Sequence, residues 1–492
     1  MKERIIVTVG LAAALCIATA VFAVESEAEM AARVRPVSLD QTVNQLPGTG
    51  VSGPVVDFGP PATGPNLKWA TPDAVITNLA ETEVTPSVAS APNGELFAAV
   101  DQAGSGRILI YHSTDGGQNW AWLASFVDVA TTRNPALSYA ENSGDRWLVL
   151  VYELVTSDIV RSLSAFVVDV DDPQGNSSFV DIDDAITWTN AGTELHPQVT
   201  CDFPDWSSLV YFYVTWAKPS IDYYPVYFSR STDQGQTWTA PLNITGGSEN
   251  TSAETRPEIA YSAHRNDVYV AFTKPGWTGS AWEPQVWVTN NTASGGSGSW
   301  LPAVQVTTSS RADINPSVAA AWDSDTVMVA WTSVYSVDDS DVQSSYSLDG
   351  GTVWSSVLSF PSWTFEYEDS IDLAVSQAAS GRFHAVYRHD DPAIASGGDI
   401  WYSWAEVSSP GLWSSALDVD AETYASGLSF YPRPSICVDL SQAPEDEAAL
   451  AWSRWSPSYR SLFDSAVLGN FDGIFEDDFE SGDDSAWSSS TP

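Results

Sequence analysis

The sequence predicts an all-β fold: a seven-bladed β-propeller of four-stranded blades, closed by an N-terminal strand. Three observations predict it. A proline followed by a short run of small and apolar residues recurs along the chain. Each copy leads into a second run with period-2 alternation, the signature of a strand. Further runs follow, often opened by a tryptophan: Trp120, Trp238, Trp300, Trp354 and Trp413. Four short strands per repeat, separated by Gly, Asp and Ser turns, describe blades set around an axis.

The repeat starts are Pro86-Ser-Val-Ala, Pro135-Ala-Leu-Ser, Pro197-Gln-Val-Thr, Pro257-Glu-Ile-Ala, Pro316-Ser-Val-Ala and Pro434-Ser-Ile-Cys. Ser370-Ile-Asp-Leu-Ala374 reads as a further copy without the proline, with Ser370 in its place. The second runs are ELFAAV, WLVLVY, VYFYVTW, VYVAFT, VMVAWT, FHAVYR and AALAWS. The last repeat lacks a fourth strand. The segment from Trp69 to Thr77 matches the fourth strands that begin at Trp238 and Trp300. Residues 67–79 are therefore expected to supply the missing outer strand and cover an edge otherwise open to aggregation.

Residues 1–23 read as a signal peptide, with a basic start, an apolar stretch from Ile5 to Phe22 and a small-residue end at Ala23. Residues 24–66 form a Pro/Gly-rich linker, 67–468 the propeller and 469–492 an acidic tail. The expectation is a bacterial protein that is secreted, extracellular or periplasmic, monomeric, and without a membrane span once the leader is removed. Acidic residues number 63 against 20 basic ones, a formal charge of -43. That excludes a nucleic-acid partner, which needs a basic footprint. Disorder is excluded by the 43% hydrophobic content and 22 tryptophans. Cys201 and Cys437 fall on inner strands of non-neighbouring blades, too far apart to bridge, and both are expected to be buried thiols.

One hairpin motif occurs three times. STDGGQNW at 113–120, STDQGQTW at 231–238 and SLDGGTVW at 347–354 share the form Ser-x-Asp-x-Gly-x-x-Trp. In each, Asp115, Asp233 or Asp349 can accept turn N–H bonds. The glycine can take positive φ, and Trp120, Trp238 or Trp354 can pack between blades. These hairpins resemble the Asp-box, or BNR repeat, of the sialidase-like β-propellers. The resemblance implies a structural role for them, on the face opposite a ligand site. It also implies that glycoside hydrolysis is one candidate activity. Sialidases carry an Arg-Ile-Pro-like segment before the first box, where this chain has Thr85-Pro86. The expectation is a binding module for an anionic glycan or an extracellular protein, with a sialidase-like glycoside hydrolase as the alternative.

The ligand face should carry two rings of side chains. The residue before each proline lines the channel mouth: Thr85, Asn134, His196, Arg256, Asn315 and Arg433. Aligned ends of second strands give Lys218, Lys274, Ser333, His389 and Arg454. Lys218, Lys274, Arg256, Arg433 and Arg454 then form either a cationic site or a set of salt bridges to Glu194 and Glu254. Arginine suits a carboxylate, which it can grip with two N–H groups. Trp277 and Trp282 either stack on sugar or pack between blades. For a hydrolase, Glu194, Glu254 and Tyr431 are the candidate catalytic groups. Acids also stand three positions before four of the prolines, at Glu83, Glu194, Glu254 and Asp313, where they can cap loop N–H groups. No cofactor is expected, although Asp169, Asp171 and Asp172 offer clustered oxygens to calcium if the loop is not simply solvated.

Overall fold

The computed structural model describes residues 74–76 and 83–468, apart from short connecting segments of which the longest are 246–254, 391–398 and 420–433. Among the described residues the regular elements are all strands, and no helix is long and apolar enough to cross a membrane. The strands form antiparallel four-stranded sheets in chain order. Residues 83–127, 131–187, 198–243 and 258–305 each make one. Residues 312–359 and 367–418 make two more, joined by one parallel pair between Ser340 and Tyr367. The last sheet takes three strands from 435–468. Its fourth is Ala74–Val75, pairing with Phe463 and Leu462.

An apolar cluster lies between each sheet and the next. Phe97, Ile108 and Ile110 of the first sheet pack on Leu148, Leu150 and Phe166 of the second. Trp216 of the third meets Val149 and Val151, and Trp331 of the fifth meets Tyr269 and Ala271. The chain ends meet in the same way: Ala449 and Ala451 of the last sheet pack against Ile76, Val88 and Val100. Because neighbours cover both faces of a sheet, burial along the second strands is continuous. Phe212–Ala217, for example, is buried at every residue. This all-β arrangement of four-stranded sheets is consistent with a β-propeller.

The first strands of the sheets are stitched to one another by polar side chains. Ser87 Oγ accepts the N–H of Leu137 at 3.0 Å, and Ser317 Oγ accepts that of Leu373 at 3.0 Å. Asp372 accepts the N–H of Ile436 at 3.0 Å, and Ser435 Oγ that of Val88 at 3.4 Å. Each acceptor is the residue after the repeat's proline position. Each donor is the second residue after that position in the following sheet.

This register corrects the sequence alignment at one repeat. The strand pairing slips between Val84 and Ser87, between Arg133 and Ala136, and between Ile314 and Ser317. The equivalent slip in the sixth sheet lies between Asp369 and Asp372. Ile371 therefore takes the proline's place, and Ser370 is the residue before it. Cysteine burial is corrected too: Cys201 is buried, its thiol pushed up to about 12 by desolvation, while Cys437 is only half-buried.

The three repeated hairpins share one set of bonds. The serine hydroxyl donates to the aspartate: Ser113 to Asp115, Ser231 to Asp233 and Ser347 to Asp349, at 2.9, 2.8 and 2.7 Å. That same oxygen accepts the glycine N–H of Gly117, Gly235 or Gly351. The aspartate also accepts a backbone N–H four residues on, from Asn119, Thr237 or Val353. Gly235 is doubly constrained, with φ +82° and room for no Cβ, since Val167 Cγ2 would lie 2.8 Å away. Trp120, Trp238 and Trp354 pack against the clusters that join their sheets to the preceding ones.

The stitching yields a stability prediction. Ser317→Ala removes one of the two acceptors of the Leu373 N–H, the other being Asp372 Oδ1, and the hydroxyl that donates to Asp372, which should cost about 0.5–1.5 kcal/mol. Ser356→Ala, at an exposed position, serves as control. Urea unfolding should separate the two variants; equal midpoints would contradict the role assigned to Ser317.

Candidate functional site

The proline ends of the first strands converge on a cavity of about 130 Å³. Proline has no N–H to give a neighbouring strand, so the ladder breaks there and the chain bulges. The preceding residue absorbs the bulge with a left-handed backbone. Thr85, Asn134, His196, Asn315 and Ser370 have φ of 46, 50, 45, 51 and 56°. This conformation is costly for residues other than glycine, above all for β-branched Thr85. All five, together with Arg256, line the cavity.

Three buried polar atoms of these residues lack hydrogen-bond partners: Thr85 Oγ1, Arg256 Nε and Asn315 Oδ1. Others are occupied. His196 Nδ1 lies 3.6 Å from Glu194, and Gln198 Nε2 donates to Glu258 at 2.7 Å. Asp372 also lines the cavity. Burial pushes its carboxyl up to about 6, despite N–H bonds from Ile436 and Leu373 and the Ser317 hydroxyl. Residues lining the cavity thus carry an unpaired arginine N–H, hydroxyl and amide oxygen, all three buried, beside buried acids.

Of the wider cationic cluster the described residues show only part. Lys218 and Lys274 do occupy equivalent places, each three residues beyond the strand partner of Gln198 or Glu258. Lys218, however, pairs with Asp183 at 3.0 Å, and Asp183 also accepts the Trp216 indole N–H. Its partner is thus neither Glu194 nor Glu254. Lys274 lies 4.1 Å from the centroid of the Trp287 ring. Glu254, Tyr431 and Arg433 lie outside the described residues, and of Arg454 only the backbone pairing with Arg460 is described. The side chain of Glu83 is likewise outside them. Asp313 is buried and accepts the hydroxyls of Ser309 and Ser333, so it serves side chains rather than loop N–H groups.

Trp277 and Trp282 are not packed between sheets. They face each other across the strand pairing at the tip of the Asp267–Trp277 and Trp282–Asn291 hairpin, 52% and 66% exposed. The suggested calcium loop is used differently. Asp169 accepts the N–H groups of Asp171 and Asp172, and Asp171 pairs with Arg146 at 2.7 Å. Among the described residues no group of three or more His, Cys, Asp or Glu is arranged to hold a metal ion.

Sequence reasoning missed a buried set of charges beside the cavity. Glu153 is fully buried, paired with Arg161, and accepts Asn134 Nδ2 at 3.1 Å and the Leu195 N–H at 3.2 Å. Burial raises its pKa, and Arg161 opposes the shift. Asp101 is held well above the carboxylate range by burial, with Arg133 opposing and Glu194 and Glu153 adding to it. The available signal was a single acid inside an otherwise apolar second strand, in AVDQ and VYELV.

No family model matches the chain, and no curated protein does. Among solved structures it is similar to a protein of unknown function from Dyadobacter fermentans, at 12% identity and TM-score 0.49, covering 82% of this chain and 100% of that one. An α-L-arabinanase from Penicillium chrysogenum is matched at 11% identity and TM-score 0.46, covering 82% and 99%. A sialidase from Streptococcus pneumoniae is matched at 11% and 0.43, covering 81% and 71%. Likeness at this level carries no activity to this chain.

Asp372 gives the site a pH signature. A carboxyl whose folded pKa is raised contributes most below its unfolded value near 4, and the contribution is lost as pH rises through about 6. Relative to Asp372→Asn, the native chain should therefore lose stability between pH 4 and 6, by roughly 2–3 kcal/mol. Chemical denaturation at both pH values measures it; a difference that does not change with pH would contradict the burial argument.

Proposed function

We propose that the chain is a secreted Asp-box propeller of seven blades. Its ring is closed by residues 67–79, and its central mouth binds the acidic group of an extracellular glycan. Seven-blade closure is supported by the pairing of Ala74–Val75 with the last sheet and by the core shared between the last and first sheets. The binding reading rests on one observation, the buried Arg256 Nε in the cavity with no partner. An unpaired buried N–H costs about 1–3 kcal/mol, which a ligand oxygen would recover. A carboxylate recovers most, because the bond is charge-assisted. Thr85 Oγ1 and Asn315 Oδ1 suit the hydroxyls of a sugar.

A second reading is glycoside hydrolysis. It is favoured by Asp101, Glu153 and Glu194, which interact electrostatically with one another beside the mouth, two of them with raised pKa. A carboxyl whose pKa is raised by burial suits the proton donor of a glycosidase. Asp101 joins Glu194, Glu254 and Tyr431 as a candidate on this reading.

Three measurements test these proposals. Deleting residues 67–79 should lower the thermal midpoint or cause aggregation; an unchanged midpoint would reject closure by that segment. On a glycan array, Arg256→Ala should abolish binding to acidic glycans, and Arg256→Lys should impair it nearly as much, since lysine cannot make the paired contact. Arg107→Ala, on the third strand of the first sheet, should have little effect. Turnover of fluorogenic sialosides or uronides that Asp101→Asn abolishes would favour the hydrolase instead.

A further inference from the structure

We propose that Trp277 and Trp282 form a second sugar-binding subsite, a platform for neutral sugar rings of an extended glycan. The proposal rests on the glycan reading above only in the class of ligand, since the platform uses none of the cavity's charges.

The two indoles are held in place by the hairpin beneath them. Pairing runs without a break from Val268 with Asn291 to Trp277 with Trp282. The turn is closed by Thr278, whose N–H donates to Ala281 O at 3.0 Å and whose hydroxyl accepts the Ala281 N–H at 3.2 Å. At the base, Gln285 Nε2 donates to the backbone oxygens of Pro284 and Arg311. Gly276 lets the hairpin lie close to the outer strand. A Cβ there would stand 2.5 Å from Gln305 Nε2 and 2.7 Å from Gln285 Cγ. The ring centroids are 5.7 Å apart and the planes are inclined by 59°, so the pair forms a shallow angled shelf. The hairpin joins the second and third strands of its sheet, which places it on the cavity side, away from the Asp-box turns.

Size and charge choose the occupant. A tryptophan side chain presents roughly 150–250 Å². Two indoles little more than half exposed therefore offer far less than the roughly 1,000 Å² a stable protein interface requires. One or two sugar rings fit that area, and their C–H faces match the flat indole surface. The chain's charge of -43 repels an acidic polymer along its length but leaves a neutral one unaffected.

Affinity electrophoresis of the full chain tests the proposal, in native gels containing barley β-glucan, galactomannan, arabinan, polygalacturonate or hyaluronan. At least one neutral polysaccharide should retard the native chain. Trp277→Ala and Trp282→Ala should each raise the apparent Kd at least tenfold, with Trp→Tyr restoring most of the loss. Gly276→Ala should weaken retardation while keeping both indoles. Trp122→Ala removes an indole 63% exposed at the Asp-box end of the first sheet and should change nothing. Arg256→Ala should leave neutral retardation intact and reduce only that by the acidic polymers. No retardation by any neutral gel, or retardation that both tryptophan variants keep, overturns the platform. Loss in Arg256→Ala alone would leave the cavity reading standing without it. A dimer in ultracentrifugation that Trp282→Ala dissolves would also overturn it, by assigning the shelf to a second copy of the chain.

Discussion

Apart from the single parallel pair between Ser340 and Tyr367, the first strand of each described sheet has a neighbour on one side only. On its other side the backbone N–H groups would face the axis unpaired, and buried N–H groups without partners are rare because they are expensive. Small polar side chains from the preceding sheet answer this: Ser87 for Leu137, Ser317 for Leu373, Asp372 for Ile436 and Ser435 for Val88. An apolar side chain at these positions could not accept a hydrogen bond, and in the third and fourth sheets Gln198 and Glu258 stand there and bond each other. The apolar clusters that join the sheets lie outside this inner ring, where diverging sheets leave room for Trp216, Trp331 and Trp452.

The same inner edge creates the cavity. Proline tolerates a missing ladder bond, so it suits the start of an edge strand, and the bulge it accompanies turns the preceding residue. The fold thus repeats a strained, left-handed residue around the axis, and the identity of each residue is left free for chemistry. In the second sheet Asn134 is spent on Glu153. In the third, His196 lies beside Glu194. Thr85 and Asn315 keep buried polar atoms unpaired.

Much of this order was legible because proline, tryptophan and the Ser-x-Asp-x-Gly-x-x-Trp hairpin impose local backbone requirements. Those requirements recur wherever the motif does. The sixth sheet was misaligned by one residue because Ile371 replaces proline and leaves no chemical marker of the bulge. Asp101 and Glu153 escaped for a different reason. Their counterparts in the third to sixth sheets are Ala217, Thr273, Thr332 and Arg388, each two residues beyond the partner of an inner-ring residue. Apart from the two threonines no residue type repeats there, so periodicity carries no signal for an acid and only packing reveals the site. Lys218 misled for the converse reason. Its position repeats in Lys274, but its partner Asp183 comes from the preceding sheet and was legible only as part of an acidic stretch.

An arginine nitrogen left open carries more weight here than it would in an ordinary chain. Acidic residues outnumber basic ones about three to one, 63 against 20, so a cation has no shortage of partners. Other described cations find them: Arg146 with Glu95 and Asp171, Arg161 with Glu153, and Lys218 with Asp183. Arg265 pairs with Asp267 and Asp325, and Arg388 with Asp369. Arg161, Arg311 and Arg388 also leave a buried Nε without an acceptor, but Arg161 and Arg388 hold a carboxylate through another nitrogen, whereas Arg256 forms no ion pair among the described residues. The cavity wall around it is built from prolines and from residues whose backbone is fixed by the bulge, and the acids that also line it, Glu258 and Asp372, are engaged with Gln198 and with the N–H groups of Ile436 and Leu373. On the binding reading proposed above, a ligand oxygen would supply the acceptor that Arg256 Nε lacks.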